Sequence, residues 1–530
     1  MSNYLLDFDE CKKSNYKFKD KDSNNYNKSI NLIKFENYPY INFPIPPESF
    51  TFRFTIDTRK NSSFSPSFTE FKLPLLDPSL YGSQYNFTID WGDGSPKQTI
   101  TTWNQEETKH DYSLTTGQGE YNIVIEGICH GWSFDPTGTF NPGDAIKMIN
   151  IFEWGKGFRF GNTGYNFINC ENLDINANDV PDLTGITNFD NMFRACASLN
   201  SSNLSKWDVK NVTNMRFMFA LAQSFNQPLN DWKVDNVTNM DRMFYLCREF
   251  DQPLDNWNTT NVNNMDRMFA LCYEFNQPLN SWNVGNVTNM YAMFYSCYKF
   301  DQPLNDWDTK EVTNMNQMFY ECELFDQPLN NWNTSKVTDM FGMFERCYKF
   351  NQNINTNNGN WDTKEVTDMG RMFYNCELFD QPLNNWNTSK VTNMNLMFSN
   401  CLVFNQSLNS WNVEKVTNMG FMFSGATAFK QDISDWNPYE CTTYEGMFLN
   451  VNMNTINPDS SQNTTNYDNL LTKWSNKTPN LKKGTALSRL RFSAGSAQYS
   501  VGAPATARAL LLSATPTGYY WDIQDGNQKP

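Results

Sequence analysis

Seven cysteines, Cys247, Cys272, Cys297, Cys322, Cys347, Cys376 and Cys401, fall at one repeated position along the chain, and thiols are the groups here best suited to metal or redox chemistry. A metal centre needs two to four ligands converging on one point, commonly as a CxxC pair or with histidine. These thiols are evenly spaced instead, and the sequence holds only two histidines. Ala222 and Ala426 occupy the same position, so the column reads as a ladder of small buried residues in which free cysteine packs as a small hydrophobe. Neighbouring thiols would have parallel Cβ vectors, which suits reduced cysteines better than disulfides.

Asp90 and Asp93 in "DWGDG" are the closest approach to a calcium-binding pattern. A glycine turn at Gly92 and Gly94, with the carboxylates bonded to backbone amides, accounts for the same residues. His110 reads as a strand residue with a satisfied ring. No carboxylate pair, Ser/His/Asp set or ligand cluster emerges, so the expectation is no catalytic residue, no metal, no cofactor and no enzyme. Asn-x-Ser/Thr sequons at Asn211, Asn236 and Asn286 follow from the repeated "NVT".

The elements that carry these residues are set by a repeat. Trp207, Trp232, Trp257, Trp282, Trp307, Trp332, Trp361, Trp386, Trp411 and Trp436 lie 25 residues apart, except for an interval of 29 between Trp332 and Trp361, where "NTNNGN" intervenes. Met-Phe pairs from Met192-Phe193 to Met447-Phe448 keep the same count, and "NFINCENLDI" adds a weaker unit, giving about twelve coils. "CELFDQPLNNWNTSKVT" occurs unchanged at Cys322 and at Cys376, as a duplicated cassette would leave it. Repetition extends a surface, whereas a catalytic site needs different side chains at one point.

Within Val237 to Trp257, the apolar residues Val237, Met240, Met243, Phe244 and Cys247 fit one face of a helix. "REFDQPLDNW" then breaks at Pro253 and reads as extended, with Phe250, Leu254 and Trp257 inward. The predicted unit is a short helix plus a short parallel strand, stacked into a solenoid with strands about 4.8 Å apart. Asn/Asp-Gln pairs such as Asn226-Gln227 and Asp251-Gln252 are expected to form hydrogen-bonding ladders at the coil corner.

The formal net charge is −15 over 530 residues, which argues against nucleic acid as a partner. No stretch approaches the roughly 18 apolar residues of a membrane span, and the opening residues lack the pattern of a secretory leader.

The unit "NVTNMxxMFxxCxxFNQPLNxWN" closely resembles the 25-residue repeat of BspA-like leucine-rich-repeat surface proteins, the DUF285 family, across residues 145–450. "YNFTIDWGDGSPKQT" and "HDYSLTTGQGEYNIVIEG" resemble the two halves of a PKD-type immunoglobulin-like domain, and "YSVGAPATARALLLSATPTGYYWDIQDG" resembles the closing segment of the same proteins. The resemblance implies an all-β sandwich at 49–135, a leucine-rich-repeat-like solenoid at 145–450 and a C-terminal cap at 451–530, after an N-terminal extension at 1–48. It also implies surface recognition or adhesion without chemistry. Similar arrays occur among giant-virus gene products, and the absent leader favours mounting on a virion or other particle surface, with cytoplasm as the remaining location.

Variation between coils then marks candidate contact residues. Tyr245, Tyr295, Tyr320 and Tyr374 share one coil position, and Tyr273, Tyr298 and Tyr348 share another. Both lie off the apolar stripe, where tyrosine suits an interface with a protein or glycan ligand, with a capsid, or with neighbouring copies. Recognition and a structural role in a virion or surface layer are the two readings these residues allow.

Overall fold

The computed structural model describes residues 50–63, 67–355, 360–456, 462–477, 481–484, 489–514 and 518–529. The extension expected at 1–48 lies outside them, as does most of the "NTNNGN" insertion.

The N-terminal part follows the alternation written into its sequence. Strands β1 (Thr51–Asp57), β3 (Gln84–Asp90) and β6 (Glu120–His130) bury Phe52, Phe54, Phe87, Ile89, Ile123 and Ile125. Around them run β2 (Glu70–Lys72), helix α1 (Pro78–Tyr81), β4 (Gln98–Ile100), β5 (Lys109–Asp111), β7 (Met148–Glu153), β8 (Phe158–Arg159) and β9 (Asp174–Ile175). The main sheet has seven strands in the order β4-β3-β6-β1-β7-β9, with β8 added beside β6.

This corrects the expected immunoglobulin-like sandwich. β1 has antiparallel neighbours on both sides, β6 and β7, while β6–β8 and β7–β9 are parallel. The sheet is therefore mixed and grows past residue 135 toward the repeats instead of closing a second full layer. The two-stranded ribbon β2–β5 packs against it, with Phe71 meeting Phe54 at 6.1 Å between ring centroids.

The helix-plus-strand solenoid is also overturned. Among the described residues, Phe189 to Phe448 contain no α-helix and no strand; apart from a 3-10 helix at Ser202–Lys206 they form linked turns joined by single-residue parallel bridges. The bridges run from Asn188 through Asn214, Asn239, Asn264, Asn289, Asn314, Asp339, Asp368, Asn393 and Asn418 to Thr443.

The backbone explains why the apolar spacing misled. In the second half of each turn pair, residues adopt left-handed φ: Arg242 at +54° and Leu246 at +63°, matched by Arg267 and Leu271, Ala292 and Ser296, Gln317 and Glu321. An α-helix cannot pass through such residues. Amides then alternate in destination. Met240, Arg242, Phe244 and Leu246 donate to the next coil at Asn264, Asp266, Met268 and Ala270, while Met243, Tyr245 and Cys247 close turns on Met240, Arg242 and Phe244. Two successive turns thus bring Met240, Met243, Phe244 and Cys247 inward with a spacing that imitates a helix face.

The columns fill the core as their apolarity requires. Trp257 is 3% exposed and Phe244, Cys247, Phe250 and Leu254 are fully buried. Phe244 stacks on Phe269 at 5.7 Å and Trp257 on Trp282 at 6.1 Å. From Trp232 to Trp436 the indole Nε1 donates to a carbonyl of the preceding coil, that of Ile354 for Trp386 and of a leucine for the others, as Trp257 does to Leu229 and Trp307 to Leu279, both at 2.9 Å.

Beyond the last coil come β10 (Thr455–Ile456), β11 (Gln462–Asn463), α2 (Thr465–Ser475), β12 (Leu490–Ser493), α3 (Ala503–Leu512) and β13 (Trp521–Gln524). β12 pairs with β13 in parallel, and its Phe492 bridges Tyr444 of the last coil. Trp474, Phe492 and Trp521 cluster around Tyr444 and bury the apolar end that the final coil would otherwise present.

Candidate recognition surface

The residues with chemical potential are held in structural roles. Cys247, Cys272, Cys297, Cys322, Cys347, Cys376 and Cys401 are buried, and each Sγ donates to a phenylalanine carbonyl of the coil before, at 2.9–3.0 Å. Burial pushes every one of these thiols up, away from the reactive thiolate. Cys170 and Cys196 extend the column toward the sheet, and Cys196 donates to Phe167 at 3.1 Å.

In the β3–β4 turn, Asp90 accepts from the Gly92 amide and Asp93 from the Ser95 amide, both at 3.0 Å. Gly92 sits at φ +79°, where a Cβ would lie 2.4 Å from the Asn122 carbonyl oxygen. His110 lies on β5 with Nε2 2.8 Å from Asp93 Oδ2, its ring stacked on Trp91 at 5.0 Å. Thr115 also donates to Asp93, at 2.5 Å. Burial works against the Asp93 charge, but the hydrogen bonds from Ser95, Thr115 and His110 together outweigh it and hold the carboxyl well below the usual carboxylate range.

The corner ladders form as expected: Asn226 Oδ1 accepts from the Asp251 amide and from Gln252 Nε2, and Asp251 Oδ1 does the same for Asn276 and Gln277. Side chains that recur in every coil are therefore spent on coil-to-coil bonding.

The seven candidate tyrosines sit elsewhere. Tyr245, Tyr273, Tyr295, Tyr298, Tyr320, Tyr348 and Tyr374 are all half-buried. The structure brings them together in pairs rather than in one column: Tyr295 stacks on Tyr320 at 4.3 Å and Tyr273 on Tyr298 at 5.0 Å. Arg248 lies over the outer face of Tyr273 at 5.6 Å, and Arg371 over Tyr374 at 5.9 Å. Ring faces are thus largely used within the protein, which leaves hydroxyls and ring edges for a partner.

Sequence reasoning missed a charged strip beside them. Arg216 bridges Asp190 and Asp241 at 3.6 and 3.1 Å, Arg242 reaches Asp241 and Asp266 at 2.6 and 3.5 Å, and Arg267 pairs with Asp266 at 3.2 Å. Phe217 lies among the guanidiniums of Arg194, Arg216 and Arg242 at 4.6–5.2 Å. Phe217, Arg242 and Arg267 occupy the first left-handed position of their coils. Its signal in the sequence is glycine: Gly342 and Gly446 stand at that position and Gly425 at the second, each with positive φ.

Residues 162–281, 252–357 and 352–463 match the family described as "Mycoplasma protein of unknown function, DUF285". The chain belongs to the DUF285 family. The three DUF285 matches overlap and together span the turn-built coils, so the family's repeat is the unit described above. No curated protein and no solved structure matches the chain. Among the described residues, no helix is long and apolar enough to cross a membrane.

Proposed function

We propose that this DUF285 chain is a non-enzymatic recognition protein of a cell or particle surface, docking on another protein across several coils. The observation that carries this reading is the division of labour within the coil. Tryptophan, Met-Phe, cysteine and corner Asn/Asp-Gln residues are consumed by stacking, whereas coil-to-coil variation collects at half-buried tyrosine, arginine and acidic positions. Stacked tyrosine faces favour a protein surface over a glycan, since a sugar would need a free ring face. The net charge of −15 favours a neutral or basic partner surface.

The test is gold labelling of intact cells or particles with antibody to the chain, combined with attachment of purified protein. Surface label and saturable attachment, displaced by excess unlabelled protein, are the expected results. Absence of both contradicts the reading. Stoichiometric recovery in an assembled particle, without attachment by free protein, makes it a structural component of that particle instead.

A further inference from the structure

Glu345 stands in the row that carries Tyr295, Tyr320 and Tyr374 in neighbouring coils, yet it is 1% exposed. Its Oε2 has no hydrogen-bond partner, and its Oε1 lies 3.5 Å from Arg371 Nη1, long for an ion pair at this depth. Arg346, the other cation acting on it, is drawn to Glu321 of the coil before, which also accepts from Ser296 Oγ at 2.8 Å. Space beside the carboxyl is kept by Gly342, where an added Cβ would stand 3.3 Å from Oε2.

We propose that Glu345 is a proton-operated latch in the middle of the stack: protonated, it stays packed in the tyrosine row, and ionised, it loosens the two coils that hold it. The groups acting on it are Arg371, Arg346 and Glu321, with the Tyr295 and Tyr320 hydroxyls and the Cys347 and Cys376 thiols within its field. Tyr374 faces Arg371. Desolvation is the largest influence and Glu321 adds to it, while Arg371 and Arg346 oppose; the balance raises the Glu345 carboxyl to about 7.

In the unfolded chain the group ionises near its ordinary 4.5. Its contribution to stability is therefore fully present below that pH and is lost as pH rises through about 7. The physical basis is that a neutral carboxyl tolerates burial with one weak contact, whereas an ionised one does not.

Hydrogen exchange on the full chain, corrected for the intrinsic pH dependence of exchange, tests this. From pH 6 to pH 8, amides of 339–350 and 368–376 should exchange about tenfold faster or more relative to those of 239–250. Glu345→Gln, which imitates the protonated form, should remove that difference, and Glu321→Gln should leave a pH-dependent difference in place. A wild-type protein with no such relative rise overturns the proposal, and that arm decides alone if E345Q does not fold. A rise that persists unchanged in folded E345Q also overturns it.

Discussion

Tryptophan shows how one residue can serve both core and backbone. Trp307 is 2% exposed, stacks on Trp332 at 6.2 Å and donates to the Leu279 carbonyl. Trp307→Ala should cost about 3–5 kcal/mol from lost burial and the cavity left behind. Trp307→Phe should retain part of that, losing the indole donor and some volume. Denaturant titration measures both, and a cost below about 1 kcal/mol for the alanine variant contradicts the inward assignment. The inward direction of this column was legible from its period alone. Its hydrogen bond to leucine was not, because the donor's target is set by the offset between stacked coils. The thiol-to-carbonyl bonds of the cysteine column were hidden for the same reason, although burial of the thiols was readable from Ala222 and Ala426 at equivalent positions.

Elements are where sequence and structure part. An apolar spacing of three and four fits a helix, but it fits two linked turns equally well, and the choice falls to backbone hydrogen bonds between coils that single-coil periodicity cannot report. Ala195 offers a discriminating test, being half-exposed with φ +61° and its amide bonded to Ala220 at 2.7 Å. In a helix glycine would cost about 1 kcal/mol and valine less. At a left-handed position the order reverses: Ala195→Gly should be neutral or stabilising by up to about 1 kcal/mol, and Ala195→Val destabilising by about 1–2 kcal/mol. The β3–β4 turn was read correctly as a glycine turn, since "DWGDG" states its own geometry. Because Asp93 is held well below the usual carboxylate range, its contribution is present above about pH 4 and lost as pH falls further. Asp93→Asn should destabilise the sheet by about 1–3 kcal/mol at pH 7 and flatten stability against pH between about 2 and 4. Fluorescence of Trp91, stacked on His110, follows the transition locally.

At the scale of the molecule, the registers of the repeat's columns were legible because stacking turns every sequence position into a line. The N-terminal sheet was legible only strand by strand. That β1 accepts neighbours on both edges, and so carries the sheet past residue 135 toward the coils, depends on pairing between distant segments. The proposed docking surface lies between these cases. Tyrosine rows were visible as variable positions, but the Arg216–Asp241 and Arg242–Asp266 rungs beside them join residues of successive coils, a pairing set by how the coils stack. Docking across several coils is the central proposal, in which each row residue contributes modestly and their sum decides attachment. The direct test replaces Tyr273, Tyr298 and Tyr348 by serine together, confirms the fold by circular dichroism, and measures attachment of the purified protein to its surface or its incorporation into particles. Docking through these tyrosines predicts a loss of about tenfold or more in affinity, or a matching loss of incorporation. Unchanged attachment and incorporation with the fold intact would contradict it, and would make those tyrosines part of the stack's own packing.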